Sequence, residues 1–116
     1  MAGTVITTID EFQDYLSGVS ERAEHHAQPV AGVVLSIAGA VVLFKDRSSE
    51  ITVMAVEGQK GNVMWIKVKD KRYALAYNHS SQTVEVRDRS THGPARKSFN
   101  NGSTTAEIID FFSNLP

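Results

Sequence analysis

Residues 51–88 read ITVMAVEGQKGNVMWIKVKDKRYALAYNHSSQTVEVRD, and apolar side chains recur at every second position along four short runs. Successive side chains of a β-strand point to opposite faces of a sheet, so this period of two predicts strands. The runs are separated by a loop at residues 58–61, a tight turn at Asp70 and Lys71, and a second loop at residues 79–82. The pattern therefore predicts four consecutive antiparallel strands.

The three turns also predict a register for the hairpins. Counting outward from them places Val53 opposite Ile66, and Ile66 opposite Leu75. Leu75 in turn lies opposite Val86. One face of the predicted sheet is then apolar up to its last residue, Asp88, and consists of Ile51, Val53, Ala55, Met64, Ile66, Val68, Tyr73, Leu75, Tyr77, Val84 and Val86. A slip of one residue would move all these side chains to the other face, so the agreement of three turns supports the face assignment.

The second face of the predicted sheet carries the single tryptophan of the chain. Its apolar side chains are those of Met54, Val56, Val63 and Trp65, which lie beside the small Ala76; we name these five residues the outer-face patch. The solvated face of an antiparallel sheet normally carries polar side chains. We therefore expect the outer-face patch to be covered by the chain's own helices or strands, by a second subunit, or by a ligand.

Cationic side chains lie near the same face. In the predicted register Lys67 lies beside Arg87 across Ala74, and Trp65 is one step away. An aromatic platform edged by cations suits a small anionic ligand or single-stranded nucleic acid. Arginine is suited to bidentate capture of carboxylate or phosphate. The sequence predicts an anion-binding set at the end of the sheet, formed by Arg87, Arg89, His92 and Arg96. The alternative is that Arg87 pairs with Glu85 or Asp88 and only solvates the sheet edge.

Helical signals flank the strands. Thr8 and Glu11 have the spacing of a capping box, and apolar residues then recur every three or four positions, which predicts a helix from Ile9 to about His26. Thr104 and Glu107 repeat that spacing before a short final helix. Its predicted buried side consists of Ala106, Ile108, Ile109, Phe112 and Leu115.

The segment from Val30 to Phe44 has no clear period, because it is apolar throughout and carries no charge. Its many β-branched residues favour two buried strands, at about residues 31–37 and 40–45, although a buried helix is the alternative. A further short strand is predicted at residues 95–99. The chain as a whole, residues 1–116, is predicted to be one α+β domain: an antiparallel β-meander of about six or seven strands with an N-terminal amphipathic helix and a short C-terminal helix.

Composition excludes several kinds of site. The chain has no cysteine, so disulfides and thiolate metal sites are absent, and its four histidines show no metal-binding spacing. No nucleophile elbow or phosphate-binding glycine motif is present, and we assign no catalytic residue and no cofactor. The net charge of −1 disfavours nucleic acid as a partner. Because the first residues lack the pattern of a signal peptide, we expect a cytoplasmic location and no membrane partner.

Two stretches, residues 73–79 (YALAYNH) and 83–90 (TVEVRDRS), together with the helix–meander–helix order, resemble the small proteins encoded on mobile integron gene cassettes. The resemblance covers most of the chain. It implies a soluble bacterial protein that often self-associates and sometimes has a small-molecule pocket. It transfers no active site, because this group is defined by its genetic carriage.

These observations favour a non-enzymatic binding or accessory domain that forms a homo-oligomer, most simply a dimer, by burying the outer-face patch. One alternative is a protein that binds a small anionic ligand with Trp65, Lys67 and Arg87. A second alternative is a weak binder of single-stranded nucleic acid.

Overall fold

A computed structural model describes residues 4–55 and 62–116, which form six strands and four helices. In chain order the elements are β1 (Thr4–Ile6), α1 (Ile9–His26), α2 (Gln28–Ala31), α3 (Val34–Phe44), β2 (Ile51–Ala55), β3 (Asn62–Val68), β4 (Lys71–Asn78), β5 (Thr83–Asp88), β6 (Ala95–Phe99) and α4 (Thr105–Ser113). The strands form one sheet in the order β1-β2-β3-β4-β5-β6, and each neighbouring pair is antiparallel. The predicted α+β fold with an N-terminal and a C-terminal helix is confirmed.

Both predicted capping boxes are present. The Thr8 hydroxyl accepts a hydrogen bond from the Glu11 backbone amide at 3.1 Å, and the Glu11 carboxylate accepts one from the Thr8 amide at the same distance. Thr104 and Glu107 repeat this exchange at the start of α4. These bonds satisfy backbone donors that a helix start leaves without a partner. Helix α1 begins and ends at the predicted residues.

The prediction of two strands between Val30 and Phe44 is wrong, because the segment forms the short helix α2 and the longer helix α3. Ile37 and Val41 lie one turn apart on α3 and point into the core. Burial against the sheet outweighs the weak strand preference of β-branched side chains. Strand β1 was not predicted; it pairs with β2 through three residues, with Val5 opposite Thr52.

The predicted register is confirmed between β4 and β5, where Leu75 lies opposite Val86. It is wrong by two residues in the other two hairpins: Met64 lies opposite Leu75 and also opposite Val53. A shift of two keeps every side chain on its predicted face. The tight turn is formed by Lys69 and Asp70, with φ of 52° and 67°, one residue earlier than predicted. The predicted loop at residues 58–61 lies outside the described residues.

The hydrophobic core lies on one face of the sheet, the inner face, which the helices cover. The core cluster joins inner-face residues such as Ile66, Tyr73 and Val86 to residues of α2, α3 and α4. Helices α3 and α4 pack together through the stacked rings of Phe44 and Phe112, whose centroids are 6.3 Å apart. The cluster contains no side chain from the outer face among the described residues.

Candidate functional site

The outer face brings together the side chains that the sequence analysis assigned to it. Trp65 points away from its neighbours Ile66 and Met64, which are in the core. The outer-face residues Met54, Val63, Trp65, Ala76 and Arg87 are all partly buried, and Lys67 is exposed. Val56, the remaining member of the predicted outer-face patch, lies outside the described residues.

The partner of the Trp65 ring is an arginine that the sequence analysis missed. The guanidinium carbon of Arg72 lies 5.2 Å from the ring centroid, a cation–π contact. Arg72 is placed there because it lies opposite Lys67 in the observed register. Trp65 and Arg87 lie on either side of the buried Ala74. The two-residue register shift therefore places Trp65, and not Lys67, opposite Ala74, and it brings Arg72 next to the ring.

The guanidinium of Arg87 is held by the protein itself. Its Nε and Nη2 atoms donate to Glu85 Oε1 at 3.0 and 2.8 Å, and Nη1 donates to the backbone oxygen of Gly93 at 2.8 Å. At Gly93 a Cβ atom would overlap the backbone carbonyl oxygen of Asp88, so only glycine fits this close approach. An anion at Arg87 would have to compete with the Glu85 carboxylate.

The four residues of the predicted anion-binding set are not on one surface. Arg96 forms an ion pair with Asp88 and lies 5.9 Å from the ring centroid of Tyr73, an inner-face residue, whereas Arg87 pairs on the outer face. The hydrogen bond to Asp88 raises the pKa of Arg96 above its ordinary value. Arg89 and His92 are exposed in the loop between β5 and β6.

The structure contains a cleft that the sequence analysis did not predict. A cavity of about 320 Å³ lies between α1, α3 and the inner face of β3, β4 and β5. Most of its wall is apolar and consists of Phe12, Leu16, Val19, Ala23, Ala27, Val30, Val34, Ile37, Ala38, Val41, Met64, Leu75 and Val84. A site of this kind, concave and largely apolar, is typical of small-molecule binding.

The cavity exists because α1 packs loosely. Ala23 is the one buried residue of this 18-residue helix, although Phe12, Leu16 and Val19 form an apolar stripe that points toward the sheet. Helix α1 packs mainly on α2 and α3. The stripe therefore lines the cavity instead of closing onto the sheet. Ile9, the first residue of the stripe, is exposed.

Polar groups line part of the same cavity. Arg22 and His26 lie one turn apart on α1, and His79 packs edge-on against Tyr77 with ring centroids 5.1 Å apart. Within residues 4–55 and 62–116, Arg22 forms no ion pair. A Cβ atom at Gly18 would lie 3.2 Å from an Arg22 guanidinium nitrogen, so the missing side chain leaves room for this arginine.

Comparison with known proteins identifies the family. A family model described as "Integron cassette protein VCH_CASS1 chain" matches residues 12–109 of the 116-residue chain. The chain belongs to this integron cassette protein family. The resemblance drawn from the sequence is therefore confirmed. A search of curated proteins finds no match for this cassette protein.

In the part of the chain that the structure describes, no three histidine, aspartate or glutamate side chains converge as metal ligands would. None of the helices in that part is both long enough and apolar enough to cross a bilayer.

The cleft was missed for an identifiable reason. The β-branched residues of segment 30–44 of this cassette protein favour strands, so the helix α3, which forms one cavity wall, was not predicted. A usable signal was nonetheless present: Arg22 and His26 have the i, i+4 spacing that places both beside Ala23 on one side of α1.

Proposed function

We propose that this cassette protein binds a small apolar molecule with one anionic group, in the cleft between α1 and the sheet. The observation that carries the proposal is the cavity itself, whose wall is mostly apolar. The wall also includes Arg22, an exposed arginine that forms no ion pair within residues 4–55 and 62–116. A carboxylate is the anion that suits an arginine best, because the two groups can form paired hydrogen bonds.

The cavity volume limits the ligand. Ligand pockets span roughly 300–1,000 Å³, and the value of about 320 Å³ lies at the lower end. An engineered apolar cavity of roughly 150 Å³ admits benzene. The cleft therefore suits a medium-chain acyl group or a fused two-ring molecule, and it is too small for a long lipid.

The arrangement of the wall orients such a ligand. The apolar part would lie against Ile37 and Val41 of α3 and Leu75 of β4, which are core residues. The carboxylate would lie next to Arg22, where His26 is one helical turn away. Burial of the apolar part supplies affinity, whereas the arginine supplies preference for an anion.

The test is calorimetric titration of the purified protein with decanoate and with the uncharged 1-decanol. We expect one decanoate per chain. We expect Arg22→Gln to weaken decanoate binding about tenfold, equal to about 1.4 kcal/mol, and to leave 1-decanol binding unchanged. Arg47→Gln is the matched control, because Arg47 is an exposed arginine that does not line the cavity. Absence of binding by decanoate, octanoate and 2-naphthoate would overturn the proposal.

A second variant separates the cleft from the outer face. Ala38 is a buried residue of the cavity wall, so Ala38→Leu should fill the cleft and abolish binding of both probes. Trp65 lies on the other side of the sheet, and its fluorescence should not respond to decanoate in the cleft. A tryptophan response that is lost in Lys67→Gln would instead favour the anionic-ligand site predicted at Trp65, Lys67 and Arg87.

Self-association through the outer-face patch is a second candidate function. The observation that favours it is that no outer-face side chain joins the core cluster in residues 4–55 and 62–116, which leaves Met54, Val63 and Trp65 without a helix packed on them. Binding of single-stranded nucleic acid has less support, because Arg87 and Arg96 are both engaged in ion pairs.

A further inference from the structure

Helix α3 is apolar on all sides. Residues 34–44 include no charged residue, and Ser36 is the one polar side chain among them. One side of the helix is buried against the sheet by Ile37, Ala38, Ala40 and Val41. A helix that is hydrophobic all round normally has both sides covered.

The other side of α3 is open in the part of the chain that the structure describes. Leu35, Val42 and Leu43 are 63%, 50% and 68% exposed, and Gly39 between them is exposed as well. We name these four residues the α3 patch. Half of the large exposed apolar residues of the described chain are in this patch. Met54, Val63 and Trp65 of the outer-face patch are less exposed than these.

We propose that the α3 patch binds the α3 patch of a second copy of this chain, with the two helices antiparallel around a two-fold axis at Gly39. Leu35 and Leu43 are each four residues from Gly39. In an antiparallel pair of helices with its two-fold axis at Gly39, the position of Leu35 in one copy is therefore opposite the position of Leu43 in the other. A symmetric dimer needs a surface that is complementary to itself, and a large–small–large row meets that need. Leu35 of one copy would contact Leu43 of the other.

Gly39 permits the close approach that the proposal requires. A Cβ atom at this position would have no other atom within 4 Å, so the surface above it is open. Packed helices lie about 8–10 Å apart, and small residues at the contact give the shorter distances. A glycine inside a helix is otherwise unfavourable, which is consistent with a role in packing.

Charge favours a second copy over a nucleic acid or an anionic membrane. The helices next to α3 are acidic at the surface: α1 includes Asp14, Glu21 and Glu24, and α4 includes Glu107 and Asp110. Helices that bind membrane surfaces usually carry lysine or arginine along their polar side, and α3 has neither. An uncharged surface is suited to a like uncharged surface.

The required area indicates how far the contact extends. A stable interface buries about 800 Å² on each partner, whereas the 11 residues of α3 span only about 16 Å. The contact must therefore include a neighbouring element. Ile109 of α4, the helix packed beside α3, is 43% exposed, and it is the residue of α4 that we expect such a contact to include.

Disulfide cross-linking tests the geometry directly, because the natural chain has no cysteine. Gly39→Cys should cross-link to a second Gly39→Cys chain. Leu35→Cys should not cross-link to itself, because two copies of this position lie about 12 Å apart along antiparallel helices and a disulfide needs Cα atoms within about 7 Å. A mixture of Leu35→Cys and Leu43→Cys should give the mixed dimer. Efficient self-cross-linking of Leu35→Cys alone would overturn the antiparallel arrangement.

Molar mass measured by light scattering or sedimentation equilibrium, with a concentration series to 200 µM, tests the surface. We expect a dimer for the natural chain and half that mass for Leu35→Lys and Leu43→Lys, both with unchanged circular dichroism. Ile9→Lys is the matched control, because Ile9 is 75% exposed and lies outside the α3 patch, and it should remain dimeric. A natural chain that stays monomeric would overturn the proposal. So would a dimer that survives both lysine variants and dissociates in Trp65→Lys, which would place the interface on the outer-face patch.

Discussion

The carboxylate of Asp46, in the turn between α3 and β2, accepts a hydrogen bond from the backbone amide of Lys69 at 2.6 Å. Its second oxygen accepts one from the amide of Asp70 at 2.7 Å. Lys69 and Asp70 both have positive φ. Two-residue hairpin turns favour this conformation, because its backbone twist matches the twist of the flanking strands. One side chain therefore holds both amides of the turn between β3 and β4.

Asp46→Ala should destabilise the protein by about 2–3 kcal/mol, because two hydrogen bonds to an ionised group are lost. Asp46→Asn retains one acceptor oxygen and should cost about half as much. Urea unfolding followed by circular dichroism measures both changes. Asp14→Ala, at an exposed aspartate of α1, should stay within about 0.5 kcal/mol of the natural chain. Equal stability of Asp46→Ala and the natural chain would show that the two hydrogen bonds of Asp46 do not stabilise the turn.

The two hydrogen bonds of Asp46 also explain why the faces of the sheet could be predicted from the sequence and the registers of two hairpins could not. Alternation along β3 and β4 assigns Trp65 to one face and Ile66 to the other, whatever residue begins the turn. The turn position decides the register, and here it depends on Asp46, which is 23 residues away from Lys69. Local turn preferences include no information about such a distant partner.

The helices show a related limit of local patterns. Helix α1 could be placed to the residue, because the Thr8–Glu11 capping box and the apolar spacing give independent signals. Helix α3 has no side-chain cap from its own N-terminal residues, and it has no polar side. Its sequence therefore lacks the alternation of apolar and polar residues that would indicate a helix. The cleft depends on the distance between α1 and the sheet. Tertiary packing sets this distance, and the spacing of apolar residues along the sequence does not predict it.

Glu11 and Glu107 should make stability fall in mild acid. The hydrogen bonds that each carboxylate accepts, from Thr7 and Thr8 at Glu11 and from Thr104 at Glu107, hold its pKa below the ordinary value of 4.5. A carboxyl group with a lowered pKa in the folded chain stabilises it above its unfolded pKa, and this contribution is lost as the pH falls through the folded pKa. We therefore expect stability from these groups to be fully present above pH 4.5 and to decrease below it.

The measurement is urea unfolding between pH 3 and pH 7. The double variant Glu11→Gln, Glu107→Gln cannot titrate at these positions, so its stability should depend less steeply on pH below 4.5 than that of the natural chain. Glu50→Gln, at an exposed glutamate before β2, should leave the natural pH dependence unchanged. Parallel curves for the natural chain and the double variant would argue against a contribution from the two capping boxes.

Asn101 connects the loop before α4 to the start of the helical segment 28–44. Its Oδ1 accepts hydrogen bonds from the amides of Gly32 and Val33 at 2.8 and 3.1 Å, and its Nδ2 donates to the backbone oxygen of Gln28 at 2.7 Å. Asn101→Ala should cost about 2 kcal/mol, because the Gly32 amide loses its acceptor and the Val33 amide retains only the backbone oxygen of Val30. Hydrogen exchange at Gly32 and Val33 should accelerate. In Asn100→Ala, which removes only a local bond to Gly102, exchange at those two amides should not change.

Tyr73 is a core residue whose hydroxyl group should be dispensable. The hydroxyl oxygen is buried and has no hydrogen-bond partner in residues 4–55 and 62–116, and burial raises the pKa of the phenol above its ordinary value of 10.0. A buried polar group without a partner costs free energy, whereas the ring contributes apolar burial and the contact with Arg96. Tyr73→Phe should therefore match the natural chain or exceed its stability by about 1 kcal/mol.

Two measurements test this expectation together. In urea unfolding, Tyr73→Leu should be less stable than Tyr73→Phe, because it loses the ring and its contact with Arg96. In an alkaline absorbance titration, Tyr73→Phe should lack the ionisation component that we expect Tyr73 to contribute above pH 10.0 in the natural chain. If Tyr73→Phe instead lost 1 kcal/mol or more, the hydroxyl would have to donate a hydrogen bond in solution, and the face on which Tyr73 packs would be held by a polar contact as well as by apolar burial.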